Sequence, residues 1–285
     1  MPNLLDIRRR IRSVKNTQQI TKAMKMVAAS RLRRTSDQAI RARPYSERLF
    51  CVHDTIVERM PELSGPLYRR QEGKWLLVVV SSDKGLCGAF NSNLLKAANN
   101  WLKHKGTEHV EVMPIGRKAT AFFRKTPFTV VPGLKEPIRD VDVSTAETVA
   151  KLLLDRYLAG GLQEVVVLYN KFKNVLVQEI TFAELLPLIG DSRDKAAVNG
   201  GVEHLAEPNA QAILDELGPK VLLTQVYQAL MESTAAEHAA RMTAMEAATN
   251  NAGEMIEKLT LDLNKARQAA ITKELIEIVS GAAAL

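Results

Sequence analysis

Residues 241–270 read RMTAMEAATNNAGEMIEKLTLDLNKARQAA. Within them Met242, Met245, Thr249, Ala252, Ile256, Leu259, Leu263, Ala266 and Ala270 follow one another at unbroken intervals of three and four. An α-helix turns once every 3.6 residues, so this spacing lays all nine on one narrow stripe, the seam of a coiled coil. Such a stripe serves one partner helix and not a globular core. The helix extends well beyond the seam, because Lys220 to Ser280 contains no proline and a single glycine, Gly253. From Pro219 to Ala284 it would measure about 99 Å. Gly218-Pro219 is expected to stop a short helix beginning near Pro208 and to open the long one.

The partner lies at the other end of the chain. Residues 3–57 hold no glycine and one proline, Pro44, expected to kink the helix or end its first part. Apolar residues recur there at helical steps: Ile7, Ile11, Val14, Met24 and Val27, then Leu49, Val52 and Ile56. Asn3 is the expected N-cap, with Asp6 three residues on. At about 80 Å this helix is also too long for the core of a compact domain. Two long helices with narrow stripes are expected to pair. A compact domain between them returns the chain, which makes the pair antiparallel.

The middle of the chain has a different rhythm. Trp75–Ser82 is a buried-strand pattern, Asn91–His104 a helix, Val110–Ile115 a strand, Arg117–Lys125 a helix and Phe128–Val131 a short strand. Ser144 is expected to cap a helix running to Leu158, with Glu147 completing a capping box. Glu164–Phe172 and Asn174–Leu186 read as further strands joined by a hairpin, and 190–207 as an exposed loop. Strands alternating with helices indicate a largely parallel sheet. The expected class is therefore α/β: a long antiparallel coiled coil of N- and C-terminal helices plus a small Rossmann-like α/β domain. The expected segments are 1–57, 74–200 and 208–285.

Charge and composition narrow the chemistry. Of 285 residues, 46% are hydrophobic and only 5% aromatic, so small and aliphatic side chains must carry the packing. The net charge is +7. Residues 1–50 carry 13 Lys/Arg against 3 Asp/Glu, a local excess of +10 that calls for an acidic partner surface. The longest apolar run, Trp75–Val80, is far short of the roughly 20 residues a membrane span needs, and the N-terminus lacks the apolar segment of a signal peptide. Two cysteines, Cys51 and Cys87, cannot make a disulfide framework or a four-thiolate metal site. A reducing cytoplasm is the expected compartment.

The turn Ser81-Ser82-Asp83-Lys84-Gly85-Leu86-Cys87-Gly88 sits between a strand and a helix, where phosphates often bind. It matches neither glycine-rich phosphate motif, so a tight structural turn is the better reading, with Cys87 a packed thiol. The five histidines are scattered without ligand spacing. Asp140 and Asp142 could pair, but surface solvation is commoner for such residues. No nucleophile and base are placed together. No catalytic residue, cofactor or metal is expected. The basic N-terminal helix leaves nucleic-acid binding as an alternative, with a helical scaffold of other partners third.

Three motifs carry a resemblance. Asp6-Ile7-Arg8 with Ile11 through Ala29 (IRSVKNTQQITKAMKMVAA), Ala266 through Ala282 (ARQAAITKELIEIVSGA), and Ser82 through Asn91 (SDKGLCGAFN) are similar to the signatures of the gamma subunit family of F-type ATP synthases. The resemblance covers essentially the whole chain. It implies a central rotary stalk: the coiled coil inside a ring of alternating alpha and beta subunits, and the α/β domain as a foot on the c-ring beside the epsilon subunit. It implies a non-catalytic subunit, peripheral on the cytoplasmic face of a bacterial inner membrane and held there only through the complex, coupling ion flow to ATP synthesis. Met24 and Lys25 match positions beside acidic levers of the catalytic subunits. Arg267, Gln268, Thr272 and Glu274 match contacts with catalytic-subunit loops higher on the shaft, and Gly281–Leu285 the apolar upper bearing. Lys84 and Cys87 belong to the central motif, and Glu207 to the Glu207-Pro208 pair at the foot. His204-Leu205-Ala206 precede that pair where relatives often have aromatic residues.

Overall fold

The structure, a computed structural model, describes residues 4–60, 64–134, 141–189, 207 and 209–283. Its elements run α1 (Leu4–Arg59), β1 (Lys74–Val80), α2 (Phe90–Lys105), β2 (Val110–Ile115), α3 (Arg117–Phe123), β3 (Thr129–Val130), α4 (Val143–Leu158), β4 (Leu162–Phe172), β5 (Gln178–Leu186) and α5 (Ala210–Ala283). The chain divides into two compact units, Met1–Ala29 with Arg241–Leu285, and Ser30–Ala240. Both long helices contribute to each unit.

The larger unit is built on a five-stranded sheet of order β3-β2-β1-β4-β5. β1 pairs in parallel with β2 and β4, β2 in parallel with β3, and β5 closes the edge antiparallel to β4. The near-continuous apolar run of β1 follows from burial on both faces. On one face Leu77, Val79, Val112 and Leu168 pack against Leu94, Ala98 and Leu102 of α2 and Phe123 of α3. On the other, Leu76, Val78, Ile115 and Val167 meet Val149, Leu153 and Tyr157 of α4 and Val221, Leu222 and Val226 of α5. The result is the expected Rossmann-like layering, with one layer supplied by a long helix.

The two prolines expected to interrupt the long helices, Pro44 and Pro219, lie inside them. Pro44 does not end α1, the second of its two expected effects, and Gly218-Pro219 does not divide α5, contrary to the sequence expectation. Pro44 is exposed, so the carbonyl it leaves unpaired meets water. At Pro219 the flanking Leu214, Val221 and Leu222 are fully buried, and their burial outweighs the roughly 3 kcal/mol a mid-helix proline costs. Gly218 is needed for closeness: a Cβ there would stand 2.9 Å from the Tyr68 hydroxyl. The start of α5 is capped by Asn209, whose Oδ1 accepts from Ala212 N at 2.8 Å. The cap of α4 also differs from expectation. Asp142 is the N-cap, accepting from Thr145 N, while Ser144 lies inside the helix and bonds the same carboxylate. These bonds hold the Asp142 carboxyl below its ordinary range, the Thr145 hydroxyl contributing most. Asn3, Asp140, Pro208 and 190–206 lie outside the described residues, and Glu207 is exposed. Among the described residues no helix is long and apolar enough to cross a membrane.

Candidate functional site

In the smaller unit the two helices run antiparallel. Gln18 Nε2 reaches Thr249 O at 3.5 Å, the Thr21 and Thr249 hydroxyls are 2.8 Å apart, and Lys25 Nζ meets Glu246 Oε1 at 2.5 Å. Partner numbers fall as α1 rises. On α5 each of the nine seam residues from Met242 to Ala270 is buried or half-buried, as their spacing requires.

The α1 side of the seam departs from the apolar pattern. Its inward residues are Ile7, Ile11, Val14, Gln18, Thr21, Lys25 and Ala28, again at steps of four and three. Val27, expected in the seam, is 55% exposed. Three successive seam positions are thus polar, Gln18 and Thr21 bonding Thr249 and Lys25 pairing with Glu246. The signal was present in the sequence: continuing the step from Val14 arrives at Gln18, Thr21 and Lys25, but a search confined to apolar residues diverts to Met24 and Val27. Gly253 fits the same layer, since a Cβ there would lie 3.2 Å from Gln18 Nε2.

With the seam turned inward, two kinds of group face out. Arg8, Arg9, Arg10, Arg12 and Lys22 are exposed, and so are the large apolar residues Ile20, Met26 and Val27. After Ala270 the described side chains of α5 are all exposed, including Ile271, Leu275, Ile276, Ile278 and Val279. A helix that outruns its partner and remains apolar presents a surface for other chains.

The residues singled out by sequence fall into three groups. Met24 and Lys25 are half-buried at the edge of the pair, with Lys25 tied to Glu246. Arg267, Gln268, Thr272 and Glu274 are exposed on α5, and the Thr272 hydroxyl donates to Gln268 O at 2.9 Å. Lys84 and Cys87 belong to the turn after β1 in the larger unit. There Ser82 Oγ donates to Lys84 O at 2.6 Å, Asn91 Nδ2 donates to Ser82 Oγ at 2.7 Å, and Asn91 Nδ2 lies 3.2 Å from Cys87 Sγ. Leu86 takes a φ of 63° to close the turn. Cys87 is buried with Phe90 against Ala236 and Ala240 of α5, while the Lys84 side chain is exposed. The Ser233 hydroxyl of α5 adds a 3.5 Å bond to Val80 O. In an open α/β sheet, ligands enter the crevice beyond the carboxyl ends of the strands. Here α5 packs on the folded turn after β1, and a cavity of about 540 Å³ remains at the end of β2, lined by Asp83, Gly116, Arg117 and Arg124. Among the described residues no cluster of His, Cys, Asp and Glu could hold a metal ion.

The sequence family described as ATP synthase matches residues 3–285. The gamma chain of Geotalea uraniireducens is 46% identical over 284 residues, 99% of this chain and 98% of that one. The gamma chain of Geobacter sp. strain M21 is 47% identical with the same coverage. The chain belongs to the ATP synthase gamma family. A gamma chain is a non-catalytic subunit, the central stalk of an F-type ATP synthase. Among solved structures, the central stalk and c-ring assembly of Tetrahymena thermophila mitochondrial ATP synthase contains a chain 26% identical, with a TM-score of 0.59 over 80% of this chain and 99% of that one. A chain of the Euglena gracilis mitochondrial ATP synthase has the same fold at 20% identity, with a TM-score of 0.69 over 99% of this chain and 94% of that one.

Proposed function

We propose that this gamma chain turns within a ring of alternating alpha and beta subunits and so transmits ion flow through the membrane sector to ATP synthesis. The observation that carries the reading is the unequal exterior of the antiparallel pair, basic on some faces and apolar on others. Three identical catalytic subunits around such a shaft meet three different surfaces. Only a difference in contact free energy can bias a conformational equilibrium, and this asymmetry supplies it. A third of a turn permutes the contacts, so each site passes in sequence through different affinities for ADP, phosphate and ATP.

The residue roles follow from placement and from the matched motifs. Met24 and Lys25 lie beside acidic levers of the catalytic subunits. Arg267, Gln268, Thr272 and Glu274, all exposed on α5, meet their loops higher on the shaft. Lys84 and Glu207 serve the foot, which sits on the c-ring beside the epsilon subunit. Cys87 acts from within, by holding the central turn against α5. Segments 1–57, 74–200 and 208–285 are the working parts. The protein is peripheral on the cytoplasmic face of a bacterial inner membrane, attached through the complex and binding no nucleic acid.

Copurification of the tagged chain with nucleotide-binding subunits tests the assembly, and its absence overturns the reading. Met24→Lys tests the mechanism. A third cation beside Lys22 and Lys25 adds a charged hydrogen bond worth about 1.5–3 kcal/mol to one rotary angle. The shaft then leaves that angle more slowly than the others. In reconstituted vesicles the variant is expected to pump fewer ions per ATP hydrolysed while assembling normally. An unchanged ratio removes Met24 from the lever contact.

A further inference from the structure

Glu232 lies on α5 where it packs beside α1 in the larger unit, and it is 3% exposed. Its Oε1 accepts from Gln228 Nε2 at 3.3 Å, whereas Oε2 has no hydrogen-bond partner among the described residues. A buried carboxylate oxygen without a partner is unfavourable, and a neutral acid in the same place needs only an acceptor for its proton. Beside Glu232 is a cavity of about 10 Å³, walled by Ala42, Arg43 and Ser46 of α1 and by Tyr227 and Gln228 of α5. That is the volume one water molecule requires. Ser46, itself 5% exposed, donates its hydroxyl hydrogen to Ala42 O at 3.2 Å, which leaves its oxygen free to accept.

The charged and titratable groups around the carboxyl come from three elements. Arg43 faces it from α1, and Tyr169 and Lys171 from β4, while its own helix supplies Tyr227 at the cavity and the uncharged Gln228 amide. Burial pushes the carboxyl above the usual range, outweighing in turn the Gln228 hydrogen bond, Lys171 and Arg43, which favour the anion. Tyr169 is itself held well above its ordinary value, first by burial and then by Glu232, so it stays a neutral phenol.

We propose that Glu232 is kept as the neutral acid and that one internal water links its Oε2 to Ser46, an acid–water joint between α5 and α1 that ionisation opens. The acid donates to the water, the water donates to Ser46 Oγ, and Ser46 donates to the α1 backbone. Loss of the proton leaves an anion whose second oxygen has no fixed donor, so the two helices part locally or take in more water. The joint makes the stiffness of this helix contact depend on pH.

Infrared difference spectra of the full chain at pH 7, wild type minus Glu232→Gln, test the protonation. A neutral carboxyl C=O band present only in the wild type is expected, and its absence overturns the proposal. Ser46→Ala tests the water link. The same band should move to higher frequency as the water loses an acceptor, and an unmoved band refutes the link. This second variant also reports the band if the glutamine variant does not fold. The folded state keeps a proton that the unfolded state releases above the ordinary glutamate value of 4.5, so stability falls as pH rises from there through the raised value. As pH rises above about 5 the wild-type unfolding midpoint should therefore drop relative to Glu232→Gln, by about 3 °C for each tenfold difference in proton affinity. Parallel midpoints overturn the proposal.

Discussion

The pair formed by residues 4–29 and 241–283 and the sheet unit of 30–240 use the same residue types to opposite ends. In the sheet unit Leu77, Val79, Leu94, Leu102, Val110, Phe123 and Leu168 are wholly withdrawn from water, and the central strands β1, β2 and β4 are covered on both faces. Its buried Glu111 is answered by Arg156 at 2.9 Å and Lys74 at 3.5 Å. In the pair, one stripe per helix is covered, several of its members only by half, and Gln18, Thr21 and Lys25 interrupt it. Large aliphatic residues such as Ile20, Leu275 and Val279 are left on the outside. The sheet unit is stabilised by its own burial. The pair leaves much of its apolar surface open, which suits a shaft whose surface meets other subunits.

The contrast can be broken by mutation. Leu77→Ala in β1 removes a fully buried side chain and should cost about 4 kcal/mol. Both tryptophans, Trp75 and Trp101, belong to the sheet unit, so their fluorescence in denaturant follows its unfolding. A loss under about 1 kcal/mol would show that this core is not close-packed. Gly116→Ala should cost about 3 kcal/mol by the same probe. Gly116 has a φ of 92°, and a Cβ there would fall 2.2 Å from Ser81 O, where flexible side chains cannot absorb the clash.

The seam should be less sensitive. Ile256→Ala, in a half-buried position, should cost about 1–2 kcal/mol, read from helical circular dichroism, and should leave the tryptophan transition where it was. A shift of both signals together would mean that the two units unfold as one. Lys25→Gln removes a pair whose side chains are 37% and 47% exposed, so the loss should not exceed about 0.5 kcal/mol and should shrink with added salt. A larger, salt-insensitive loss would show that the polar layer holds the register of the two helices.

Residues whose neighbours lie one helical turn away, or on the facing pleat, were legible in the sequence. The nine-residue stripe from Met242 to Ala270 faces inward as spaced, and β2 spans Val110–Ile115 as its pattern indicates. The turn at 81–88 was legible as a turn because glycine and serine spacing excludes a phosphate loop. The polar half of the seam was harder to see, since Gln18 and Thr21 become inward residues only when Thr249 stands opposite. Asp142 rather than Ser144 caps α4 because the chain enters that helix two residues earlier than the capping-box pattern suggests.

By itself the sequence determined the period of each element, the presence of a long helix at each end and the family of the chain, because these depend on spacing along one strand of covalent structure. The tertiary structure alone decided the strand order β3-β2-β1-β4-β5, the passage of α5 through Pro219, the packing of Ala236 and Ala240 on Cys87 and Phe90 after β1, and the burial of Glu232 beside Ser46. Each of these depends on residues distant in sequence meeting in space. Burial free energy gathered across such contacts can override a local preference for a break, a cap or a charge.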